Sequence, residues 1–320
     1  MHLRNALLST FGVQGAKISV VIPTRDRARL VDAAIASVLA SPLITSPTQI
    51  AVIDDDSHDD TEAVALKHGV RYKRVIRHNS SLTRNAGFEL VQSPYVTFLD
   101  SDDAWLPGNM EPQLAALESN PKAAFAYGIA RCTTENFQPI PEAIFPKPPL
   151  HSGLVPERLH LHYPQLGVVL FRREAVANVG GFDPRIPYYQ DGDLMIRIAA
   201  RHPIVGVNFV GMLHRLRDPS RTRSDYHWGY RDVRNWWPRG VGIGVSAAAT
   251  LMIRTRSLLF HRFCEDTAAC VDRGQRKDAL VCLSRALRVS PAHAVRHYHM
   301  MASLLLRSLH QPAQRSSLRT

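Results

Sequence analysis

The sequence predicts an α/β protein with a mostly parallel central sheet, followed by an α-helical extension. Two observations lead to this prediction. In the first hundred residues, short apolar runs rich in β-branched residues alternate with segments of helical periodicity, a pattern typical of parallel strands covered by helices on both faces. From about residue 269 onward the periodicity is helical throughout. A second, helical region therefore follows the α/β domain.

Four strands and three intervening helices are predicted before residue 101. The strands are "ISVVIP" at 18–23, "QIAVID" at 49–54, "VRYKRVI" at 70–76 and "YVTFLD" at 95–100. Apolar residues at helical spacing predict a helix over 29–39, cap-type residues before 61 predict one through 67, and "LTRNAGFELVQ" predicts the third. Right-handed crossovers would bring the carboxyl ends of all four strands to one edge of the sheet, where ligands bind in such folds.

The rest of the chain is less regular. The Pro-rich stretch 139–156 predicts an extended loop or flap. A strand, a helix from about Arg173 and a Gly-Gly turn follow, then a helix over 188–202 and a strand over 204–213. The tail predicts two helices broken at 273–275 and a third over 294–309. The expected segments are 1–16 as an N-terminal extension, 17–225 as the α/β domain, 226–310 as the helical region and 311–320 as a disordered tail.

Composition restricts the class of protein. The 320 residues are 45% hydrophobic and 21% charged, as in ordinary globular proteins. The four cysteines show no metal-binding or disulfide spacing, and no run of 18 apolar residues predicts a spanning helix. The net charge of +11 suits an anionic partner. Nucleic acid is not expected, because no basic motif with interleaved aromatic residues is present.

Carboxylates follow two of the predicted strands. The second strand runs into "DDDS" at 54–57, and the fourth into "DSDD" at 100–103. Clustered carboxylates at a strand-end edge suit Mg²⁺ or Mn²⁺, which commonly bridge to substrate phosphates. Neither a GxGxxG nor a GxxxxGK[ST] loop is present. The edge is therefore predicted to bind a divalent metal together with a phosphorylated ligand.

Six segments in order resemble family 2 glycosyltransferases, the inverting, nucleotide-sugar-dependent class with the Rossmann-like GT-A fold. They are "SVVIPTRDRARLVDAAIASVL", "VIDDDS", "LTRNAGFEL", "FLDSDD", "FRREAVANVGGFDP" and "QDGDLMIR", and together they span about residues 17–224. The tail resembles a single tetratricopeptide-like helical pair. Such a unit cannot bury its apolar face alone, so it is expected to pack on the catalytic domain or on a partner.

The resemblance implies roles for the residues that match these motifs. At the donor site, Asp55 accepts a hydrogen bond from a uracil-type base, Arg84 lies near the base or the diphosphate, and Asp100 contacts the ribose or the metal shell. The nucleotide is bordered by Pro23, Thr24 and Arg27. In the DxD-type motif Asp102 is the direct ligand of Mn²⁺ or Mg²⁺, and Asp103 is its neighbour.

Asp191 is implied as the general base that deprotonates an acceptor hydroxyl. Its position near a predicted helix start also suits an N-cap, and Asp193 is expected to be structural or acceptor-binding. The chain departs from the family at three positions. Asp56 replaces a usual Gly, Gln190 a usual Glu, and Arg217 a usual His, which leaves His214 as a weaker candidate for contact with the metal or diphosphate.

The expected function is transfer of a sugar from a nucleoside diphosphate, of UDP type, to a hydroxyl of a glycan or lipid-linked saccharide. A degenerate transferase fold that binds nucleotide and recruits partners through its tail is the alternative. A metal-dependent nucleotidyltransferase or phosphohydrolase is a third reading. The expected location is cytoplasmic, and the basic, apolar segments 241–263 and 294–309 suit either peripheral contact with the inner face of the membrane or ordinary packing. No oligomeric state follows from the sequence.

Overall fold

The structure is a computed structural model, which describes residues 16–146, 148–154, 164–186 and 190–216 of the first part of the chain and residues 260, 264, 267–268, 271, 276–289 and 291–310 of the second. Contacts divide the chain into two compact units, residues 1–225 and 226–320, which are described separately. The predicted N-terminal extension up to residue 15, the predicted tail 311–320, Arg217 and the basic segment up to 259 lie outside the described residues.

The first unit contains a nine-stranded sheet within its described residues. The strands are β1 (Ile18–Thr24), β2 (Ile50–Asp55), β3 (Arg71–Val75), β4 (Tyr95–Phe98), β5 (Ala104–Trp105), β6 (Phe125–Thr133), β7 (Pro139–Phe145), β8 (Val169–Arg172) and β9 (Ile204–Arg215). The helices are α1 (Ala28–Leu39), α2 (Thr61–Lys67), α3 (Ser80–Leu90), α4 (Glu111–Ser119), α5 (Arg173–Asn178) and α6 (Gln190–Ala199).

The sheet has the order β3-β2-β1-β4-β8-β6-β9-β5, with β7 beside β6. Its first four strands are all parallel to one another. Antiparallel pairs occur only in the other half, where β4 pairs with β8, β8 with β6, β6 with β7 and β5 with β9. The predicted α/β class with its GT-A sheet is confirmed. The parallel half aligns the carboxyl ends of β1, β2 and β4, as the sequence predicts.

One prediction is wrong. The Pro-rich stretch was expected to be an extended loop or flap, but residues 139–145 form β7, which pairs with the second half of β6. Pro lacks a backbone N–H and is therefore tolerated in a strand only where no ladder hydrogen bond is lost, as at a sheet edge. Pro139 and Pro141 are compatible with a strand that pairs on one side only.

The parallel half is buried because helices cover it on both faces. Every residue of β2 is buried, and β1 is buried except for partly exposed Pro23. On one face Val31, Ile35 and Val38 of α1 join the core. On the other face α3 approaches β1 and β2 so closely that a Cβ on Gly87 would overlap the Val21 side chain and lie 2.9 Å from Ile53 Cγ1.

The described residues of the second unit include three helices, α7 (Arg276–Val289), α8 (Pro291–Arg296) and α9 (Tyr298–His310). Phe260, Cys264, Leu283, Ala286 and Leu304 form a small buried cluster there. The helical character of this region agrees with the sequence, and its likeness to a tetratricopeptide pair stays a prediction. Every helix in the described part of the chain is too short or too polar to cross a lipid bilayer.

Replacing Gly87 by Ala should lower the free energy of unfolding, because the added methyl group overfills the space between α3 and the sheet. Overpacking of this kind costs about 1–3 kcal/mol, against a gain in helix propensity of at most about 1 kcal/mol. Urea unfolding would measure the difference. Glu89→Ala on the exposed side of the same helix is the matched control and should stay within about 0.5 kcal/mol of wild type. A Gly87→Ala protein as stable as this control would contradict the close packing.

Candidate active site

The loops after β1 and β2 are held together as one rim. Asp26 Oδ1 accepts a hydrogen bond of 2.7 Å from the His58 backbone N–H, and the Asp26 backbone N–H donates one of 2.8 Å to Ser57 Oγ. Thr24 lies beside Asp54 in the parallel register. Pro23 and Thr24 therefore lie at this edge of the sheet, and their place beside a nucleotide stays a prediction. Thr24 Oγ1 is buried and has no hydrogen-bond partner among the described residues.

Asp55, at the end of β2, holds the next loop in place. Its Oδ1 accepts hydrogen bonds from the backbone N–H groups of Arg77 (2.7 Å) and His78 (2.9 Å), and its Oδ2 accepts from Asn79 N–H (3.2 Å) and Thr83 Oγ1 (3.1 Å). Burial raises the pKa of this carboxyl, but the four hydrogen bonds outweigh burial and lower it. Asp55 therefore stays ionised and orients residues 77–79. This loop lies beside the site that the resemblance predicts for the uracil-type base of the nucleotide.

The neighbours of Asp55 have structural contacts. Asp54 accepts hydrogen bonds from Ser57 N–H (2.9 Å) and the Tyr72 hydroxyl (2.7 Å). Asp56 has a left-handed backbone with φ +67°, and its carboxylate pairs with Arg74 Nη2 at 2.9 Å. Left-handed geometry is what the usual Gly would supply, and Asp tolerates it better than most residues. The departure from Gly thus leaves the turn intact.

Each of the three carboxylates after β4 lies next to a basic side chain. Asp100 Oδ1 is 2.6 Å from Arg84 Nη2, and Asp102 Oδ1 is 3.4 Å from Arg27 Nη1. Asp103 lies 3.2 Å from His214 Nδ1. Clustered carboxylates would repel one another without such partners. The segment 100–103 is therefore a charged cluster rather than a solvated turn.

Buried Asp103 pairs with the partly exposed His214. Burial raises the pKa of Asp103 to about 6, reinforced by Asp100 and Asp102 and opposed by His214. Burial disfavours the imidazolium, but the same three carboxylates outweigh it and raise the pKa of His214. Asp103 Oδ1 also accepts a 3.0 Å hydrogen bond from the backbone N–H of Arg215. Asp103 thereby fixes the end of β9 beside the cluster.

The described residues include no group of three His, Cys, Asp or Glu side chains arranged to hold a metal ion. Asp103 is held by His214 and by the backbone N–H of Arg215, and Asp102 Oδ1 lies 3.4 Å from Arg27 Nη1. Mg²⁺ usually binds through one or two carboxylates, with substrate phosphates and water as its other ligands. Asp102 fits that mode of binding.

Asp191 is the second residue of α6 and keeps some exposure to solvent. The preceding residue, Gln190, donates a 2.8 Å hydrogen bond from Nε2 to Ser80 Oγ at the start of α3. Loss of contact with water is the largest effect and raises the pKa of Asp191, and the Asp100 carboxylate also raises it. The hydrogen bond from the Gly192 N–H and the charge of the Arg84 guanidinium lower it. The net shift is upward, and the structure brings Asp191 within electrostatic reach of Arg84 and Asp100.

Asp193 has a different environment two residues along the same helix. Its side chain is 4% exposed and accepts hydrogen bonds from Arg197 Nε (2.8 Å) and Nη2 (2.6 Å). Arg197 also donates to the carbonyl oxygens of Val179 and Gly181. Asp193 is therefore a structural residue that joins α6 to the Gly-Gly turn.

Several contacts around the site involve residues that the sequence analysis did not single out. Asn85 Nδ2 donates to the Phe182 carbonyl (2.8 Å), and Asn85 Oδ1 accepts from Phe182 N–H (2.9 Å). Asn79 caps α3 by accepting from Ser81 and Leu82 N–H groups. An Asn just before a helical pattern is a usual cap signal, so Asn79 had a signal in the sequence. Asn85 and Phe182 lie within two of the family-like segments, but nothing in the sequence indicates that they pair.

The structure thus places Arg27 beside Asp102 and Arg84 beside Asp100, and the charges of Arg84 and Asp100 both act on the pKa of Asp191. Pro23, Thr24 and Asp55 lie at the same edge, at the ends of β1 and β2. Asp103 lies beside Asp102 but is directed to β9.

Comparison with known proteins identifies the family of the chain. A family model described as "Glycosyl transferase family 2" matches residues 19–180, which is half of the chain. The chain belongs to this family.

Two curated relatives with named activities match shorter stretches. Poly(ribitol-phosphate) beta-N-acetylglucosaminyltransferase TarP of Staphylococcus aureus (strain N315) is 34% identical over 93 residues, covering 27% of this chain and 28% of TarP. UDP-Glc:alpha-D-GlcNAc-diphosphoundecaprenol beta-1,3-glucosyltransferase WfgD of Escherichia coli is 26% identical over 115 residues, covering 35% of this chain and 44% of WfgD. The chain spans less than half the length of these two relatives.

A solved structure extends the likeness in fold. The crystal structure of S. aureus TarS 1-349 in complex with UDP superposes with a TM-score of 0.58 over 91% of this chain and 88% of that chain, at 13% sequence identity. At this identity the superposition supports the GT-A fold and no more.

Asp193→Ala should destabilise the protein strongly, because it leaves the partly buried Arg197 without its carboxylate. Removing one partner of a buried ion pair costs about 3–5 kcal/mol. Thermal or urea unfolding would measure the loss. Arg185→Ala, which removes an exposed ion pair with Asp183, is the control and should leave the melting temperature unchanged. Equal effects of the two substitutions would contradict the structural role of Asp193.

Proposed function

We propose that the protein is an inverting glycosyltransferase that moves a hexose from a UDP-type donor to a hydroxyl of a glycan or lipid-linked saccharide. The observation that carries the proposal is the position of Asp191, a carboxylate with a raised pKa, within electrostatic reach of the Arg84–Asp100 pair at the carboxyl ends of the parallel strands. This arrangement offers a base next to a site with charges suited to a nucleoside diphosphate.

The donor is proposed to lie over the rim formed by the ends of β1, β2 and β4. Asp55 and the loop it holds would face the base, and Asp100 would accept a hydrogen bond from the ribose. Arg27 and Arg84 supply positive charge for the diphosphate, beside Pro23 and Thr24. Charge-assisted hydrogen bonds of this kind are stronger than neutral ones.

A divalent ion, Mn²⁺ or Mg²⁺, is proposed to bind with the donor at Asp102, with Asp103 behind it. When bound, the ion neutralises the diphosphate and stabilises it as a leaving group. When no ion is bound, the positive charge of Arg27 helps to balance the negative charge of Asp102. His214 pairs with Asp103, so its proposed part is to fix that carboxylate.

In the proposed reaction the acceptor hydroxyl oxygen attacks the anomeric carbon from the face opposite the diphosphate. The carbon–oxygen bond to the diphosphate breaks, and the diphosphate leaves with the electron pair. The hydroxyl proton passes to the ionised carboxylate of Asp191. Because attack and departure are on opposite faces, the anomeric configuration inverts.

The acceptor class is proposed from the relatives, of which TarP is named for a poly(ribitol-phosphate) acceptor and WfgD for a diphosphoundecaprenol-linked one. A lipid-linked or polymeric acceptor suits the net charge of +11, since both kinds of acceptor carry phosphate and are anionic. A cytoplasmic location with peripheral contact at the inner face of the membrane is part of the same proposal.

Donor binding can be tested by thermal shift with UDP, in the presence and absence of Mn²⁺. A ligand that binds only the folded state stabilises it by about 2.7 kcal/mol at a hundred times its dissociation constant. We expect UDP with Mn²⁺ to raise the melting temperature of wild type, and Asp102→Asn to lose the Mn²⁺-dependent part. Asp60→Asn, an exposed carboxylate on the neighbouring loop, should behave as wild type. An unchanged Mn²⁺ response in Asp102→Asn would exclude Asp102 as the ligand.

The role of Asp191 predicts a pH dependence. Because its folded pKa is raised above the ordinary 3.8, turnover should fall as the pH drops through this raised pKa and the base becomes protonated. Asp191→Asn should lower turnover by about 10²–10⁴-fold. The ionised carboxylate costs stability above the ordinary pKa, so the neutral Asn should keep or raise the melting temperature. UDP release from UDP-glucose or UDP-N-acetylglucosamine would report turnover, and full activity of Asp191→Asn would eliminate the base.

A further inference from the structure

The loops that follow the neighbouring strands β1, β2 and β3 each contain a residue other than glycine with a left-handed backbone. These residues are Asp26 (φ +49°), Asp56 (φ +67°) and His78 (φ +47°). A left-handed backbone is unfavourable for residues with a side chain, and it persists only where surrounding contacts hold it. Such residues cluster at functional sites. Three of them at one edge of the sheet point to a function for the contacts that hold these turns.

His78 contacts residues from all three loops. Its ring Nδ1 lies 2.6 Å from Nη1 of Arg25, in the loop after β1, and its Nε2 lies 4.0 Å from Oδ2 of Asp56, in the loop after β2. Its backbone N–H donates a 2.9 Å hydrogen bond to Asp55 Oδ1. Because β2 lies between β1 and β3 in the sheet, the contact between Arg25 and His78 crosses the carboxyl end of β2.

The contact with Arg25 requires that Nδ1 of His78 carries no proton. A guanidinium only donates hydrogen bonds, so the imidazole nitrogen 2.6 Å away has to accept. The proton of the neutral ring then lies on Nε2, which faces Asp56. An imidazole gains a second proton between about pH 5 and 8. That proton would remove the acceptor and place positive charge next to Arg25, while Asp56 would attract the charged ring.

The other charged groups around this contact already have partners. Arg25 Nε lies 3.6 Å from Asp26 Oδ2, and Asp56 Oδ1 accepts a 2.9 Å hydrogen bond from Arg74 Nη2. The Asp26 carboxylate also lies 3.8 Å from His58 Nδ1. Each of the two left-handed aspartates is therefore paired with an arginine. A proton gained by the imidazole between them adds positive charge to a network whose carboxylates are already paired.

We propose that His78 is a positioning residue that holds the loop after β1, residues 25–27, in the arrangement that binds the nucleotide sugar. This loop also carries Arg27, which lies beside Asp102. Neutral His78 holds Arg25 across the end of β2. When His78 gains a proton, Arg25 is released, the loop loses this link to the rest of the rim, and the donor binds more weakly. This inference rests on the proposed function and concerns how the same donor site is held.

The test measures the dissociation constant of UDP-N-acetylglucosamine for the full chain by calorimetry, with Mg²⁺, at about pH 8 and about pH 5.5. This ligand has no terminal phosphate, whose second proton would itself titrate near about pH 6. His78→Asn places an acceptor oxygen where Nδ1 stands, tolerates the left-handed backbone and does not titrate. It should bind as wild type at the higher pH. On going to the lower pH it should lose roughly two- to fivefold less affinity than wild type.

Two further variants separate the hydrogen bond from a general effect of substitution. His78→Leu removes the acceptor at every pH, so it should bind roughly two- to fivefold more weakly than wild type and His78→Asn at the higher pH. His68→Asn is the matched control. His68 also contacts a charged side chain, Asp32 at 2.6 Å, but it precedes β3 and so lies at the opposite edge of the sheet. This variant should keep the pH dependence of wild type.

Spectra of ¹⁵N-histidine in the free protein test the contact without any ligand, because the ring nitrogen shifts report which nitrogen carries the proton. His78→Asn assigns the signals. At about pH 8 we expect the proton on Nε2 of His78. A proton on Nδ1 at this pH would overturn the proposal, since Nδ1 could then not accept from Arg25.

The binding outcomes separate this inference from the proposed function. If UDP-N-acetylglucosamine binds wild type and His78→Asn with the same pH dependence, or if His78→Leu binds as well as wild type at the higher pH, the role of His78 is refuted and the transferase proposal stands. A loss of affinity at low pH that is larger in His78→Asn than in wild type refutes it as well. If this nucleotide sugar binds wild type at neither pH, the donor class is wrong and the inference falls with it.

Discussion

The arrangement of the site depends on how the charge of Asp100, Asp102 and Asp103 is balanced. Three carboxylates within four residues cannot lie together at the end of a buried strand unless cations approach them. The fold supplies one from each of three directions. Arg27 comes from the start of α1, Arg84 from α3, and His214 from the end of β9. The carboxylate cluster thus fixes the elements around it as much as they fix the cluster.

Most of the parallel half could be predicted from the sequence. The apolar runs at β1, β2 and β4 alternate with helical patterns, and the buried sheet requires this pattern because it is covered on both faces. Observed bounds differ from the predicted ones by one or two residues at most strand and helix ends. The prediction failed at β7, where Pro suggested a loop. Proline disrupts a strand only where a neighbouring strand would accept a hydrogen bond from its backbone N–H. A strand that pairs on one side only can place its prolines where no such bond is lost.

The candidate residues could be named, but their partners could not. Asp103 and His214 are 111 positions apart, and Asn85 and Phe182 are 97 apart. Such pairs come from strand order and helix placement, which local periodicity does not encode. Asp193 is an exception. Arg197 follows it by four residues on the same helix, and this is a spacing of ion pairs that a sequence does show.

Two of the three departures from the family pattern, Asp56 and Gln190, are each accommodated by a local contact. Asp56 adopts the left-handed backbone that Gly would provide and forms an ion pair with Arg74. The side-chain amide of Gln190 donates a hydrogen bond to Ser80 Oγ. An ionised Glu at this position could not donate and could only accept a hydrogen bond from the Ser80 hydroxyl. A Glu at 190 would add negative charge near Asp191. The charge of Asp100 already raises the pKa of Asp191, and a second negative charge would raise it further. The loss of that charge therefore favours an ionised Asp191, which is the form a general base needs.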